Sequence, residues 1–297
     1  MPGFTEKSIL LMDINSHIHR AYHGALRQEL EKRPVAYHNG KPVYAIKEAL
    51  RLIENDIRYL GVSVDYIACV LDSEAKNFRY DIYPEYKANR PPSDAEFNFM
   101  RNCIFKLLFL KGYFLLREDG VEADDVIAAM ALQAQAIGLN VYISTGDKDF
   151  YQLIGRGLSV YNGKLRKHFT AATVKEKFNI EPHQMLDYLT LCGDEPDNII
   201  GVPKCGAKTA AALLANHTLD QLLDDPTLLE GIKFTNRPVI TDYIREQAEN
   251  LRFMRDLMDL RKPHWAIRDD ISLVSMIKKA PDTEAVNRAF ATLGLRP

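Results

Sequence analysis

Residues 8–26, SILLMDINSHIHRAYHGAL, join a short apolar run, an aspartate, and apolar positions at helical spacing. Ser8–Met12 reads as a strand buried on both faces and closed by Asp13, and Ile14–Leu26 reads as a helix. The pattern recurs outward from there. Tyr66–Leu71 is a second buried strand, closed by Asp72. Tyr113–Leu116 is a third, and Asn140–Ser144 a fourth with Asp147 just beyond it. Helical stretches separate them, at about 45–60, before Lys111, and at 121–137. Apolar strands alternating with helices imply an α/β fold, with a mainly parallel central sheet flanked by helices. Turn signals at Arg33-Pro34 and Asn39-Gly40 interrupt the first crossover. Beyond about residue 168 only helical patterns remain, at 171–178, 182–192, 207–214, 219–223, 239–250 and 283–293. The expected organisation is an α/β domain over 1–168 and a helical domain over 169–297.

Composition narrows the class. The 297 residues are 46% hydrophobic and 26% charged, as in a water-soluble globular protein. No apolar run approaches the ~20 residues a membrane span needs, and the N-terminus lacks a signal-peptide layout. Four cysteines without a CxxC pair argue against a zinc cage or disulfide framework, so the expected compartment is the cytoplasm. The net charge of −2 excludes a uniformly basic coat. Charge is nevertheless unevenly placed, with eight Lys or Arg against four Asp or Glu between Lys76 and Arg117.

The acids fall in tight motifs. Asp13, Asp72 and Asp147 each stand at or just past the carboxyl end of an expected strand, the edge where open parallel sheets bind ligands. Any one of them is as readily a turn former or helix cap. Glu122-Ala-Asp124-Asp125 opens a helix with three acids in four residues, more than a cap requires. Gly146-Asp147-Lys148-Asp149 and Gly193-Asp194-Glu195-Pro196-Asp197 repeat the theme. Like charges so close are costly unless a cation sits among them. An all-oxygen donor set selects Mg²⁺, with Mn²⁺ as a substitute, over zinc. Nine acids exceed what one Mg²⁺ uses and suit two ions ~3.5–4 Å apart. His17, His19 and His23 lack a suitable further zinc ligand and read as ordinary core or surface residues.

Two basic segments complete the pattern. Lys76-Asn-Phe-Arg79 and Tyr86-Lys87-Ala-Asn-Arg90-Pro91-Pro92 leave the acidic edge directly and interleave Tyr80, Tyr83 and Tyr86. Such a loop is either plain solvated surface or a single-strand platform of cations and stacking rings. Arg79, Lys87 and Arg90 are placed to stabilise charge on a reacting phosphate. Gly201–Leu214, GVPKCGAKTAAALL, reads as a glycine-rich hairpin running into a helix whose N–H groups suit a phosphate backbone. Its spacing is not that of a P-loop.

Taken together, LLMDINSHIHRAYH (10–23), VLDSEAKNFRYDIYPEYKANRPP (70–92), GVEADDVIA (120–128), ISTGDKDFYQL (143–153) and LCGDEPDNIIGVPKCGAKTAAALL (191–214) resemble the 5′ nuclease family. That family comprises the 5′ nuclease domain of bacterial DNA polymerase I, flap endonucleases and bacteriophage 5′-exonucleases. The resemblance implies a two-metal site. Asp13, Asp72, Glu122 and Asp124 would serve chiefly one ion, and Asp125, Asp147, Asp149, Asp194 and Asp197 the second. It implies a helical arch at about 76–100 through which a single-stranded 5′ end passes. Lys87 would touch the scissile phosphate, with Arg20, Lys76, Arg79, Tyr86 and Arg90 steering DNA. The 191–214 stretch resembles a helix-hairpin-helix-type DNA-binding motif, with Lys204, Lys208 and Thr209 toward DNA. A K⁺ ion would be held there by the main-chain carbonyls of Ile200, Val202 and Cys205. Lys204 and Cys205 depart from the family's glycine and aliphatic residue.

The reading is a monomeric, Mg²⁺-dependent 5′–3′ exonuclease or flap endonuclease acting on DNA 5′ ends and flaps. It would serve primer and flap removal in replication and repair, with an RNA–DNA hybrid as a further substrate. A non-catalytic DNA-structure-binding protein on the same fold is the alternative, and loss of acids would favour it; none is lost. A metal-dependent ribonuclease is the third reading, against which the hairpin module tells. The chain's end at Pro297 fits a free-standing nuclease and an excised domain equally.

Overall fold

The computed structural model describes residues 7–30, 36–91, 94–262 and 271–296, without the side chains of 28–30. The Arg33-Pro34 turn and Pro92 lie outside the described residues. Strand β1 (Ser8–Asp13) feeds α1 (Ile14–Leu30), and a small ribbon of β2 (Tyr37–His38) and β3 (Lys41–Pro42) precedes α2 (Ile46–Tyr59). Then follow β4 (Tyr66–Val70), the single turn α3 (Arg79–Ile82), α4 (Ala95–Leu110), β5 (Phe114–Leu116), α5 (Ala123–Ala136) and β6 (Asn140–Ser144). β7 (Leu158–Asn162) and β8 (Lys167–Phe169) end the sheet, whose order is β5-β4-β1-β6-β7-β8. All pairings are parallel except β7 with β8. The mainly parallel sheet is thus as the sequence implies, with an antiparallel edge added.

Every residue of β1 is buried, which is why its sequence shows no alternation. Ile9 and Leu11 pack on one face with Ala68, Val70, Val141, Ile143 and the apolar side of α5. Leu10 and Met12 pack on the other with Ile67, Cys69 and α1, α2 and α4. The helical region comprises α6 (Ala171–Phe178), α7 (Met185–Cys192), α8 (Ala207–Leu214), α9 (Leu219–Asp224), α10 (Arg237–Glu246), α11 (Ala248–Met258) and α12 (Thr283–Thr292). Its core continues the first sheet face without a break, from Ile9 through Leu213 and Leu251 to Met276. α12 crosses back, placing Val286 and Phe290 in the opposite cluster. The expected helix at 239–250 is two helices, because Gln247 leaves helical geometry at φ −115° and ψ 21°.

One close approach fixes how α7 meets the hairpin. Gly193, at φ +75°, and Gly201 lie back to back; a Cβ on Gly201 would stand 2.3 Å from the Gly193 nitrogen. Val202 N–H donates to Leu191 O at 2.9 Å, and Asp194 and Ile199 exchange backbone bonds at 3.0 and 2.8 Å. The obstacle to a larger residue is backbone, which has nowhere to go. Gly201→Ala is expected to destabilise the protein by about 2–4 kcal/mol, the range for overpacking plus backbone strain. Thermal unfolding checks it, and an unchanged Tm would show that the hairpin is not held this tightly.

Candidate metal centre

Parallel packing brings the carboxyl ends of β1, β4 and β6 side by side and aims the first turn of α5 at the same edge. Asp13 ends β1 as the cap of α1: its Oδ1 accepts the Ser16 N–H at 3.0 Å and its Oδ2 the Thr145 hydroxyl at 2.8 Å. Asp72 accepts the Ala123 N–H at 2.9 Å, capping α5, and also the Asn15 amide. Asp147 accepts the Asp149 N–H at 2.9 Å. Caps and turns are therefore real roles for these acids, and they serve to orient them. Eight of the nine expected ligands line one open cleft of about 930 Å³: Asp13, Asp72, Glu122, Asp124, Asp147, Asp149, Asp194 and Asp197.

Crowding disturbs their acidity. Burial, then Asp147, Asp13, Glu122 and Asp72, hold the Asp124 carboxyl well above its ordinary value. Burial and Asp147 do the same for Asp149. Burial raises Asp147 despite its backbone hydrogen bond, and raises Asp13 to about 6 with help from Asp72. Asp149 Oδ1 is buried without a hydrogen-bond partner in the protein. An orphaned carboxylate oxygen among raised carboxyls, all hard oxygen donors, fits a divalent cation.

Protein cations hold part of the cluster meanwhile. Lys87 pairs with Glu122 and stands 3.8 Å from Asp197, Arg90 pairs with Asp197, and Lys148 contacts Asp194 at 2.7 Å. Burial pulls the Lys87 ammonium down, but Glu122 and Asp197 outweigh it and leave it above its ordinary value. So engaged, no three acidic, histidine or cysteine side chains among the described residues converge tightly enough to hold one ion. Lys87 also has a left-handed backbone, φ 55°, a strained state that recurs at functional sites.

Three expectations need correcting. Arg79 lies beneath the cleft rather than in it: it is 3% exposed and grips Asp125, 0% exposed, through two bonds of 2.5 and 2.9 Å, reaches Glu122 at 3.3 Å, and bonds Leu257 O. Asp125 accordingly faces Arg79 rather than the eight other acids. Tyr86 is no stacking surface, since its ring is buried and its hydroxyl, with one proton to give, lies 2.9 Å from Glu122 and 3.1 Å from Asp197. Tyr80 and Tyr83 likewise pack against the core.

The expected arch begins, over 76–91, as a strap. α3 and the turns after it lie on the 194–198 loop, through Lys87 N–H to Asp197 O at 3.1 Å and Asn198 Nδ2 to Glu85 O at 2.8 Å. Lys76 is exposed and pairs with Asp81. In the hairpin, Lys204 adopts φ 63°, the region its glycine counterpart would favour. Lys204 and Lys208 are exposed and Thr209 is half-buried at the start of α8. Cys205 is buried, and the Val202 carbonyl accepts its N–H at 3.0 Å. Ile200 exposes its side chain. Arg20 lines the cleft, as do His19, His23 and Arg27 on the same face of α1 and Lys148, Lys164 and Lys177 across from it. The sequence reading did not single out Arg27, Lys164 or Lys177; for Arg27 the spacing 16, 19, 20, 23, 27 on α1 was the available signal.

Comparison with known proteins gives the family and the fold. The model "5′-3′ exonuclease, N-terminal resolvase-like domain" matches residues 8–179, and "5′-3′ exonuclease, C-terminal SAM fold" matches 180–283. The chain belongs to the 5′–3′ exonuclease family. DNA polymerase I of Pseudomonas aeruginosa is 35% identical over 214 residues, 71% of this chain and 22% of the polymerase. Thermostable DNA polymerase I of Thermus aquaticus is 34% identical over 269 residues, 88% of this chain and 29% of that one. The chain therefore spans less than a third of these relatives. A 5′-3′ exonuclease of Buchnera aphidicola is 31% identical over 212 residues, 71% of this chain and 74% of the relative. T5 5′-exonuclease with bound zinc superposes with TM-score 0.67 at 20% identity, over 86% of this chain and 90% of that one. The Rad2 catalytic core in complex with DNA substrate superposes with TM-score 0.59 at 16% identity, over 98% and 88%. At such identities these two likenesses establish the fold.

A carboxyl whose folded pKa lies above its unfolded value binds more protons when folded. It therefore costs stability as pH rises past the unfolded value, near 4. For Asp13 that cost accrues between about 4 and about 6; for Asp149, raised by burial and then Asp147, the cost has the same sign. Metal-free Asp149→Asn should melt at least ~2 °C above wild type at pH 8, the equivalent of about 1 kcal/mol. The difference should vanish near pH 4. Thermal melts at both pH values check this, and equal melting at pH 8 would show that the cluster carries no such repulsion.

Proposed function

We propose that this chain hydrolyses DNA phosphodiesters from 5′ ends and 5′ flaps, with two divalent cations bound in the acidic cleft. The observation that carries the reading is the gathering of eight carboxylates from five sequence motifs into one cleft, several raised by burial and then by one another. Asp13, Asp72, Glu122 and Asp124 would hold one cation, and Asp147, Asp149, Asp194 and Asp197 the other, with Asp125 supporting from behind through Arg79. When bound, Mg²⁺ ions (or Mn²⁺) supply charge neutralisation at the phosphate and lower the pKa of water.

The chain's own groups do the rest. Lys87 and Arg90 reach the cleft and exchange their carboxylate partners for phosphate oxygens, stabilising the charge that develops in displacement. Arg20 contacts the strand entering along α1. The 76–91 strap, hydrogen-bonded to the 194–198 loop, encloses a single-stranded 5′ end. The hairpin around Lys204, Lys208 and Thr209 grips duplex backbone without reading sequence. The carbonyls of Ile200, Val202 and Cys205 hold K⁺ in that hairpin. The protein acts as a monomer in the cytoplasm, in primer and flap removal during replication and repair, and tolerates an RNA–DNA hybrid. No described helix is long and apolar enough to cross a membrane.

Incubating wild type and Lys87→Ala with a 5′-labelled flap duplex and Mg²⁺, with an EDTA control, tests this. Short labelled fragments should appear with Mg²⁺ alone, and kcat of the variant should fall about a hundredfold, the scale for one lost electrostatic donor. Tight binding without cleavage in Mg²⁺ or Mn²⁺ would instead establish a DNA-structure-binding protein.

A further inference from the structure

One buried charge is unused by the chemistry above. Asp56, on α2, is 3% exposed and stands behind the cleft wall. Its Oδ2 lies 2.8 Å from His17 Nε2 and accepts the Ser144 hydroxyl at 2.8 Å. Its Oδ1 stands 3.6 Å from Arg20 Nη2. His17 is fixed in turn, since its Nδ1 donates to the Asp13 carbonyl at 2.6 Å. The carboxylate also rests against Gly163, where a Cβ would meet Oδ1 at 1.9 Å.

A buried carboxylate costs several kcal/mol in desolvation unless its neighbours offset it. Burial raises its pKa, but His17, Ser144 and Arg20 together hold it below the usual carboxylate value, so the charge is kept. Arg20, by contrast, is poorly bonded. Its Nε and Nη2 are buried and make no hydrogen bond within the protein. The guanidinium is thus held by charge at a distance, with its donors uncommitted and its side chain on the cleft wall. Because Nε and Nη2 are turned inward, an anion in the cleft would meet the part of the side chain that stays exposed, and the Asp56 charge beside Nη2 fixes which way that part faces.

We propose that Asp56 is a positioning residue, whose carboxylate, locked by His17 and Ser144, orients the Arg20 guanidinium toward a DNA phosphate. The proposal rests on the reading of the cleft as a DNA-cleaving site.

The test measures kcat and KM on the 5′-flap duplex with Mg²⁺, across a range of salt, for the full chain. Wild type, Arg20→Ala, Asp56→Asn, the double variant and Gly163→Ala are compared, with melting curves for each. Asp56→Asn should raise KM roughly tenfold and weaken its salt dependence by about one phosphate contact, as Arg20→Ala does. The double variant should be no worse in KM than Arg20→Ala, because the two side chains act as one unit. Gly163→Ala keeps the charge but forces the carboxylate from its place, since the added Cβ would meet Oδ1 at 1.9 Å, and its melting curve shows whether the variant folds. It should raise KM in the same direction by a smaller factor. Additive KM effects, or a KM left at the wild-type value by both Asp56→Asn and Gly163→Ala, would overturn the proposal. Wild type that cuts no flap would sink the cleavage reading itself and the proposal with it, an outcome distinct from either.

Discussion

Electrostatic repulsion among carboxylates is the constraint around which this molecule is arranged. A parallel sheet delivers strand ends to one edge, and here the strand ends and the first turn of α5 carry acids. Burying Asp13, Asp124, Asp147 and Asp149 beside one another costs stability: burial first, and neighbouring carboxylates after it, push each upward. Perturbed carboxyls gathered in a cleft are the mark of a functional site rather than of packing. The fully buried β1 and the core shared by sheet and helical region supply the rigidity against which such repulsion is sustained.

The surrounding cations fall into two kinds. Arg79 is structural: it neutralises Asp125 deep under the strap and ties α3 to α5 and to the end of α11. Lys87, Arg90 and Lys148 instead pair with acids that line the cleft. The strap and the 194–198 loop share backbone bonds as well as ion pairs, so the cations at the cleft also join the strap to the helical region.

Much of this was legible in the sequence. The strands closed by Asp13 and Asp72 announced themselves because burial on both faces demands unbroken apolar runs. The acidic motifs showed because clustered like charge is rare without purpose. The parts that were not legible share a cause, in that they depend on partners far along the chain. Leu158–Asn162 reads weakly as a strand, with a serine and an asparagine in five residues, and is fixed only by pairing with β6 and β8. Nothing local distinguishes Arg79 from Lys87, although 46 residues away Asp125 buries the first. The break at Gln247 leaves the apolar spacing intact, so periodicity runs through it. His17 was read as an ordinary core or surface residue and is indeed buried, but its tie to Asp56 spans 39 positions.

The central claim, that the acidic cleft is built for a pair of divalent cations, is tested most directly by anomalous diffraction from crystals grown with Mn²⁺. The account predicts two anomalous peaks in the cleft, one nearer Asp13, Asp72 and Asp124 and the other nearer Asp147, Asp149 and Asp194, with Lys87 withdrawn from Glu122. A cleft without Mn²⁺, its acids still paired with Lys87, Arg90 and Lys148, would contradict it.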